Sequence, residues 1–482
     1  VRDRLPGTSD PNRDDCSGLR LESTQGKFVM KFSTGVVAAA LAICSLPASA
    51  AERPPNVIFF LIDDLGATDL GCCGSEFYET PNIDRLAREG VRFTQAYSAC
   101  TVCSPTRAAF LTGKYPARLH ITDWIPGHVR KDAKLAVPDW TMYLPRRERT
   151  IATALKESGF VTGHIGKWHL GNKQQGYADA HGFDFALAGT ERGQPPSYFS
   201  PYKIPTLSEG PKDEYLTDRE AIEACKFIEA NREKPFFLYL PHYAVHTPLQ
   251  AKRELIEKFK AKIKPGQKQV NPVYAAMIFS LDEAVGRILA KLTELKIDDQ
   301  TIVIFTSDNG GLRLRDTTYN LNLRAGKGSA YEGGVRVPLI VKAPCHSVKG
   351  KTCAEPVITV DFFPTIVELT GGQMTGTVDG MSLAPLLRDP ESRLARNEIY
   401  WHYPHYHPGG ATPYGAIRRR DWKLIEFFED HRVELYNLAS DPSETTDLAK
   451  QEMARSTEMT QRLHEWRKAV SAQMPKRNPA AK

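Results

Sequence analysis

Five short runs rich in β-branched and other apolar residues recur along the chain, at Asn56 to Ile62, Val161 to Ile165, Phe236 to Leu240, Thr301 to Thr306 and Val337 to Val341. Helical patterns lie between them, at Asn82 to Glu89, Arg149 to Ser158, Asp218 to Asn231 and Val273 to Leu295. Runs this continuously apolar must be covered on both faces, and the intervening helices supply the cover. The alternation therefore predicts an α/β fold around a largely parallel, buried sheet. The texture changes after about residue 390, where Glu398 to His402, Tyr414 to Arg418, Trp422 to Phe427 and Val433 to Tyr436 read as short strands split by turn residues. They predict a small antiparallel sheet with an amphipathic helix, Gln451 to Ala472, packed on it. The basic tail after Pro475 is expected to fray. With 482 residues and 41% hydrophobic content, the chain is long enough for a catalytic domain over 51–389, an antiparallel-sheet subdomain over 390–474 and a flexible tail over 475–482.

The N-terminus carries a different signal. Lys27 and Lys31 precede a twelve-residue apolar run, Gly35 to Leu46, followed by Pro47-Ala48-Ser49-Ala50. Basic residues, a short apolar stretch and a small-residue cleavage site make residues 30–50 a signal peptide, so export to the periplasm or medium is expected. Residues 1–29 are polar, and Met30 is the expected natural start. No run reaches the roughly 18 uncharged apolar residues of a membrane span. Removing Cys16 and Cys44 from the nine cysteines leaves seven, an odd number in an oxidising compartment. At least one thiol is then unpaired or put to another use. Cys345 and Cys353 flank a short polar loop and are candidates for a disulfide, whereas adjacent Cys72 and Cys73 read as buried thiols. The net charge of +6 is a weak basic bias compatible with anionic substrates. No run of five or six like charges and no nucleic-acid-binding pattern occurs, which argues against a nucleic acid partner.

Ligands of open α/β sheets gather beyond the carboxyl ends of strands. Val57 to Ile62 runs into Asp63-Asp64, and Ile302 to Phe305 runs into Thr306-Ser307-Asp308-Asn309-Gly310. Side-chain oxygens from two strand ends suit a hard cation, calcium or magnesium, better than zinc. Helix capping or turn formation is the alternative use of such residues. Cys103-Ser104-Pro105-Thr106-Arg107 places Ser104 as a helix N-cap and Pro105 in the first turn, so Cys103 sits at a helix N-terminus, where an anion is favoured. Arg107 lies one turn on, on the same face. Taken alone, a Cys before a helix is more often a small buried hydrophobe than a nucleophile. The segment Trp401-His402-Tyr403-Pro404-His405-Tyr406-His407 ahead of Gly409-Gly410 suits either a sugar-lined pocket or the seam between the two domains.

Together these motifs resemble the type I sulfatases. Cys-x-Pro-x-Arg with Gly113 resembles that family's formylglycine signature, and Gly166-Lys167-Trp168-His169-Leu170-Gly171 within Gly159 to Gly171 resembles its second signature. His246 in Tyr243-Ala244-Val245-His246-Thr247-Pro248 and Lys327 in Gly326-Lys327-Gly328 match its remaining catalytic His and Lys. The similarity runs from about Pro54 to Leu448. It implies an alkaline-phosphatase-like fold with a large mixed β-sheet flanked by helices and a smaller C-terminal α+β part. It also implies a formylglycine made from Cys103 by a maturation enzyme, and a calcium ion held by Asp63, Asp64, Asp308, Asn309 and residue 103. Arg107, Lys167 and Lys327 would share the charge of the sulfuryl group, His169 would hold the nucleophile and take its proton, and His246 would protonate the leaving oxygen. The implied substrate is a sulfated carbohydrate, a galactose-type unit of a polysaccharide or glycosaminoglycan. Two other readings stand beside this one: a phosphodiesterase or phosphonate hydrolase of the same superfamily, and a sulfated-glycan-binding protein with a dead site.

Overall fold

Ile58, Phe60 and Ile62 alternate with Val57, Phe59 and Leu61 along the first strand, and all six are fully buried. Successive strand side chains point to opposite faces, so this strand feeds two cores at once. A computed structural model shows how. It describes residues 26–27, 29–31, 53–313 and 317–481; the apolar run Gly35 to Leu46, expected to belong to a signal peptide, and Cys16 and Cys44 lie outside the described residues.

The strands of the large sheet are β1 (Asn56–Ile62), β2 (Val91–Tyr97), β3 (Val161–Ile165), β4 (Phe185–Leu187), β5 (Phe236–Pro241), β6 (Thr301–Ser307), β7 (Arg336–Lys342), β8 (Lys351–Cys353) and β9 (Val357–Ile358). Their spatial order is β9-β2-β7-β6-β1-β5-β3-β4, with β8 also on β2. All run one way except β7, which is antiparallel to both β6 and β2. The sheet is thus mixed, with the expected parallel centre. Helices α1 (Pro81–Glu89), α4 (Leu216–Ala230) and α5 (Pro272–Glu294) cover the face of Ile58 and Phe60. Helices α2 (Cys103–Thr112), α3 (Ile151–Glu157) and α6 (Phe362–Leu369) cover the face of Val57 and Phe59. Phe59 stacks on Phe110 at 4.1 Å between ring centroids and meets Phe362 edge-on at 5.1 Å.

A second sheet follows: β10 (Glu398–Tyr403), β11 (Tyr414–Arg419), β12 (Trp422–Phe427) and β13 (Val433–Asn437), antiparallel throughout. Helix α7 (Met453–Ala469) packs Met459 and Leu463 against Ile417, Leu424 and Leu435 on one face. The other face joins the catalytic side of the molecule, with Trp401, Tyr403 and Tyr414 packed among Tyr97, Val102, Ala109 and Tyr115. Trp401 donates its ring N–H to the Ser98 carbonyl at 2.8 Å, and Tyr403 donates to Asp123 at 2.7 Å. Most of the aromatic segment therefore packs the seam. Both sheets belong to one unit, Arg53–Lys482.

Two expectations fail. Cys345 and Cys353 are both free: Cys353 on β8 faces the core while Cys345 stands exposed in the turn after β7, so their side chains point apart. Nor is the tail frayed at its start. Lys476–Arg477 pair with Leu135–Ala136, and the Asn478 amide donates to the Ala133 carbonyl at 2.7 Å. Cys72 and Cys73 are half-buried and free. Among the described residues no helix is long and apolar enough to cross a membrane.

Because Trp401 fills the seam and uses its only hydrogen-bonding group there, Trp401→Ala is expected to lower the free energy of unfolding by about 3–5 kcal/mol, read by chemical denaturation.

Candidate functional site

The register of β1 against β6 sets Ile62 opposite Ser307, so Asp63-Asp64 and Asp308-Asn309 leave neighbouring parallel strands at the same level. β5 and β3 end beside them. Asp63 N–H donates to the Ala244 carbonyl at 3.0 Å, and Lys167 N–H donates to the Pro241 carbonyl at 2.7 Å. The latter contact requires Gly166, whose φ is 123° and at which a Cβ would lie 2.2 Å from the Pro241 oxygen. The loop bearing Lys327 is tied in through Lys327 N–H to the Gly311 carbonyl and Gly328 N–H to the Thr101 carbonyl. Four strand ends and one loop thereby bring Asp63, Asp64, Lys167, His169, His246, Asp308, Asn309 and Lys327 to one edge of the sheet.

Cys103 is the first residue of α2, and Val102, not Ser104, is the N-cap. Ser104 is drawn off by tertiary partners: its hydroxyl donates to the His169 carbonyl at 2.9 Å and accepts from Ile125 N–H at 3.2 Å. Its role is to join the Cys103 helix to the loop of His169. Cys103 Sγ lies 3.3 Å from His169 Nδ1, while His169 Nε2 donates to the Ile125 carbonyl at 2.5 Å. A carbonyl can only accept, so the proton sits on Nε2 and the lone pair of Nδ1 faces residue 103. Burial, reinforced by Lys167, holds this imidazole well below its ordinary pKa, and therefore neutral. Asp64 (φ 63°) and His169 (φ 56°) both adopt left-handed backbone, which costs about 1 kcal/mol for residues with a Cβ.

Three cations and three carboxylates interlock here. Arg107 donates to Asp308 Oδ2 from Nε at 3.0 Å and Nη2 at 2.7 Å, and from Nη1 to the Lys167 carbonyl at 3.2 Å. Lys167 Nζ meets Asp63 Oδ2 at 2.6 Å, and Lys327 Nζ meets Asp64 Oδ1 at 2.7 Å. Against burial, Lys327 and His246 hold Asp64 below the usual carboxylate range. Burial and the neighbouring Asp308 push Asp63 well above it despite Lys167 and Arg107. The carboxylates are thus crowded beyond what their cationic partners relieve.

Oδ1 of Asp63, Oδ2 of Asp64 and Oδ1 of Asn309 are buried without a hydrogen-bond donor. Orphaned oxygens on adjoining strand ends cost several kcal/mol together unless satisfied, and such a donor set fits a hard divalent cation. Asp63, Asp64 and His246 present ligand atoms within 4.8 Å of one another. Cys103 and Asp308 are not in that tight group; Asp308 spends Oδ2 on Arg107. His246 Nε2 stands 3.5 Å from Asp64 Oδ2, and its Nδ1 donates to the Thr247 carbonyl at 2.9 Å. Burial pushes His246 down to about 3, with Asp64 opposing and Lys327 reinforcing the shift.

Asp64, Cys103, His169, His246 and Lys327 open onto a cavity of about 590 Å³. Its remaining wall includes Trp124, Glu191, Arg192, Gln194, Leu312 and His407. Trp124, Ile125 and Arg192 escaped the sequence reading. The Trp124-Ile125-Pro126-Gly127 turn, an aromatic beside a Pro-Gly pair, was the available signal; Arg192 offered none.

The family model Sulfatase matches residues 55–372. The chain belongs to the sulfatase family. A second model, N-sulphoglucosamine sulphohydrolase, C-terminal, matches residues 326–471 of this sulfatase. A sulfatase of Formosa agariphila is 32% identical over 92% of this chain and 94% of its own length. Steryl-sulfatase of Mus musculus is 34% identical over 75% and 69%, and N-acetylgalactosamine-6-sulfatase of Homo sapiens is 32% identical over 80% and 75%. Among solved structures, Ps i-CgsB in complex with k-i-k-neocarrahexaose superposes with a TM-score of 0.72 at 31% identity, covering 86% of this chain and 93% of that one. The phosphonate monoester hydrolase of Agrobacterium radiobacter, at 20% identity and a TM-score of 0.65 over 88% and 97%, shares the fold alone. The protein is accordingly a hydrolase of sulfate esters with an alkaline-phosphatase-like fold.

Replacing Arg107 by Ala would leave the Asp308 carboxylate buried and unpaired. The expected result is a loss of about 3–5 kcal/mol in unfolding free energy, much more than for Arg147→Ala at an exposed surface pair.

Proposed function

We propose that this sulfatase cleaves sulfate esters of carbohydrates, with Cys103 matured to formylglycine and a calcium ion held by Asp63, Asp64, Asp308, Asn309 and residue 103. The observation that carries the reading is the trio of orphaned oxygens beside three cationic side chains at the N-terminus of the Cys103 helix. Three carboxylates against Arg107, Lys167 and Lys327 leave the cluster near neutral. A bound divalent cation would therefore make it net positive by two, suited to a sulfate ester. When present, the formylglycine hydrate would supply the attacking hydroxyl and a second one whose deprotonation expels sulfate, and the calcium ion would stabilise charge on a sulfuryl oxygen.

The remaining work falls to side chains of this chain. His169 Nδ1, unprotonated because Nε2 is committed to Ile125, takes a proton from residue 103. Lys327 lines the cavity, anchored on Asp64, and would meet a sulfuryl oxygen there, while the buried Lys167, anchored on Asp63, would add positive charge from behind. Arg107, held by Asp308 and the Lys167 carbonyl, fixes the helix that carries residue 103. His246 faces the cavity as the acid for the leaving oxygen. It is neutral in the free site, and an arriving anion favours its imidazolium. A sugar alkoxide is a poor leaving group, so this proton matters most for carbohydrate esters.

Relatives named for N-acetylgalactosamine 6-sulfate and the structural neighbour bound to neocarrahexaose support a sugar substrate. A shared fold with a phosphonate monoester hydrolase supplies the rival reaction. Sulfate and phosphate monoesters of 4-nitrophenol separate the two: preference for sulfate is expected, and preference for phosphate would sink the proposal. In active enzyme, mass spectrometry of the peptide containing residue 103 is expected to show an aldehyde in place of the thiol. Cys103→Ala is expected to lower kcat by roughly a thousandfold or more; an unimpaired variant would refute the assigned nucleophile.

A further inference from the structure

His407 is the one member of the aromatic segment Trp401 to His407 that reaches the catalytic cavity. It sits in the turn after β10, closed by His407 N–H to the Ala411 carbonyl at 3.0 Å and Gly410 N–H to the His407 carbonyl at 2.9 Å. Its ring lies directly on Gly328, next to Lys327: a Cβ at residue 328 would meet His407 Nδ1 at 2.2 Å. Glycine at 328 is what lets the turn of the C-terminal sheet approach Lys327.

The proton of this imidazole can be placed. Gly409 N–H donates to His407 Nδ1 at 3.0 Å, so Nδ1 carries no hydrogen. Burial and the charge of Lys327 lower the pKa to about 4, so the ring is neutral and its hydrogen is on Nε2. No protein acceptor is recorded for that Nε2 among the described residues, and the ring lines the cavity. Another part of the cavity wall, Trp124, is organised by the same sheet. Asp123 accepts from Tyr403 OH at 2.7 Å and from Trp124 N–H at 2.9 Å, so β10 positions the Trp124 loop as well as the His407 turn.

We propose that His407 is a specificity-determining residue of this sulfatase, its Nε2–H donating to a sugar oxygen beside the scissile ester while Trp124 offers an apolar face to the ring. The inference rests on the carbohydrate reading above and extends it: the C-terminal sheet reads the sugar and the strand ends of the large sheet hold the sulfate. Steroid and aryl sulfates have no acceptor next to the ester, whereas pyranose sulfates carry hydroxyl or ring oxygens there. A neutral donor that cannot be protonated near pH 7 recognises such an oxygen without competing with Lys327 for the sulfate.

Two variants separate the donor from the bulk of the ring. His407→Phe keeps an aromatic ring over Gly328 and removes the N–H, whereas His407→Gln keeps a donor. The readout is kcat/KM for a sugar sulfate divided by that for 4-nitrophenyl sulfate, using whichever of N-acetylgalactosamine 6-sulfate, glucosamine 6-sulfate and sulfated neocarrahexaose the wild-type enzyme cleaves best. His407→Phe is expected to lower this ratio roughly tenfold, chiefly through KM, and His407→Gln to restore most of it. An unchanged ratio in His407→Phe, or equal losses in Phe and Gln variants, would overturn the role of His407 while leaving the carbohydrate reading intact. Wild-type enzyme that cleaves 4-nitrophenyl sulfate and none of the sugars would overturn the carbohydrate reading, and this role with it.

Discussion

The buried pairing of Arg107 with Asp308 is the constraint on which the rest of the site depends. Arg107 lies on the helix that begins with Cys103, Asp308 ends a central strand of the sheet, and the guanidinium grips one carboxylate oxygen with two donors. The same guanidinium reaches the Lys167 carbonyl, so helix, strand end and second loop share one rigid joint. Burying such a pair gains little stability in itself because both charges lose water. Its value is positional: residue 103 cannot shift along the sheet without leaving two charges unpaired in the interior.

Around that joint Asp308 is fully used, Oδ2 by Arg107 and Oδ1 by the Asp64 N–H at 3.3 Å, whereas its neighbours are not. Lys167 and Lys327 satisfy one oxygen of Asp63 and one of Asp64, and the second oxygen of each is left without a donor together with that of Asn309. A site meant only to cap strands would have closed these gaps with backbone amides or hydroxyls, as Ser307 does for the Ile62 carbonyl and Leu65 N–H. Instead they stay open, and Asp64 lines a cavity in which His169 presents a lone pair to residue 103. Such an arrangement suits the cation and anion proposed for it.

Much of this was legible in the sequence, for reasons particular residues make plain. β1 and Val161–Ile165 begin and end where their β-branched and apolar runs do, because strands covered on both faces read as short, largely apolar runs. Asp63-Asp64 and Asp308-Asn309 stood out because polar residues directly follow such runs. Val91–Tyr97 was missed since Arg92, Thr94 and Gln95 break its pattern, as half-buried positions near a sheet edge allow. The reversed direction of Arg336–Lys342 leaves no mark on side-chain burial, which is full on both faces either way. Ser104 obeyed local capping rules on paper, but a carbonyl 65 residues away in the chain claimed its hydroxyl. The aromatic segment was open between seam and pocket, and both readings have a share: Trp401 and Tyr403 pack, His407 lines.

We propose that the strand-end oxygens form a cation site. Calorimetric titration of calcium into metal-free protein tests it most directly, with Asp64→Asn as the comparison. One calcium per chain is expected to bind tightly to the wild-type protein and raise its thermal unfolding temperature, and to bind at least tenfold more weakly to the variant. Absence of calcium binding to the folded wild-type chain, or equal binding by both proteins, would contradict it.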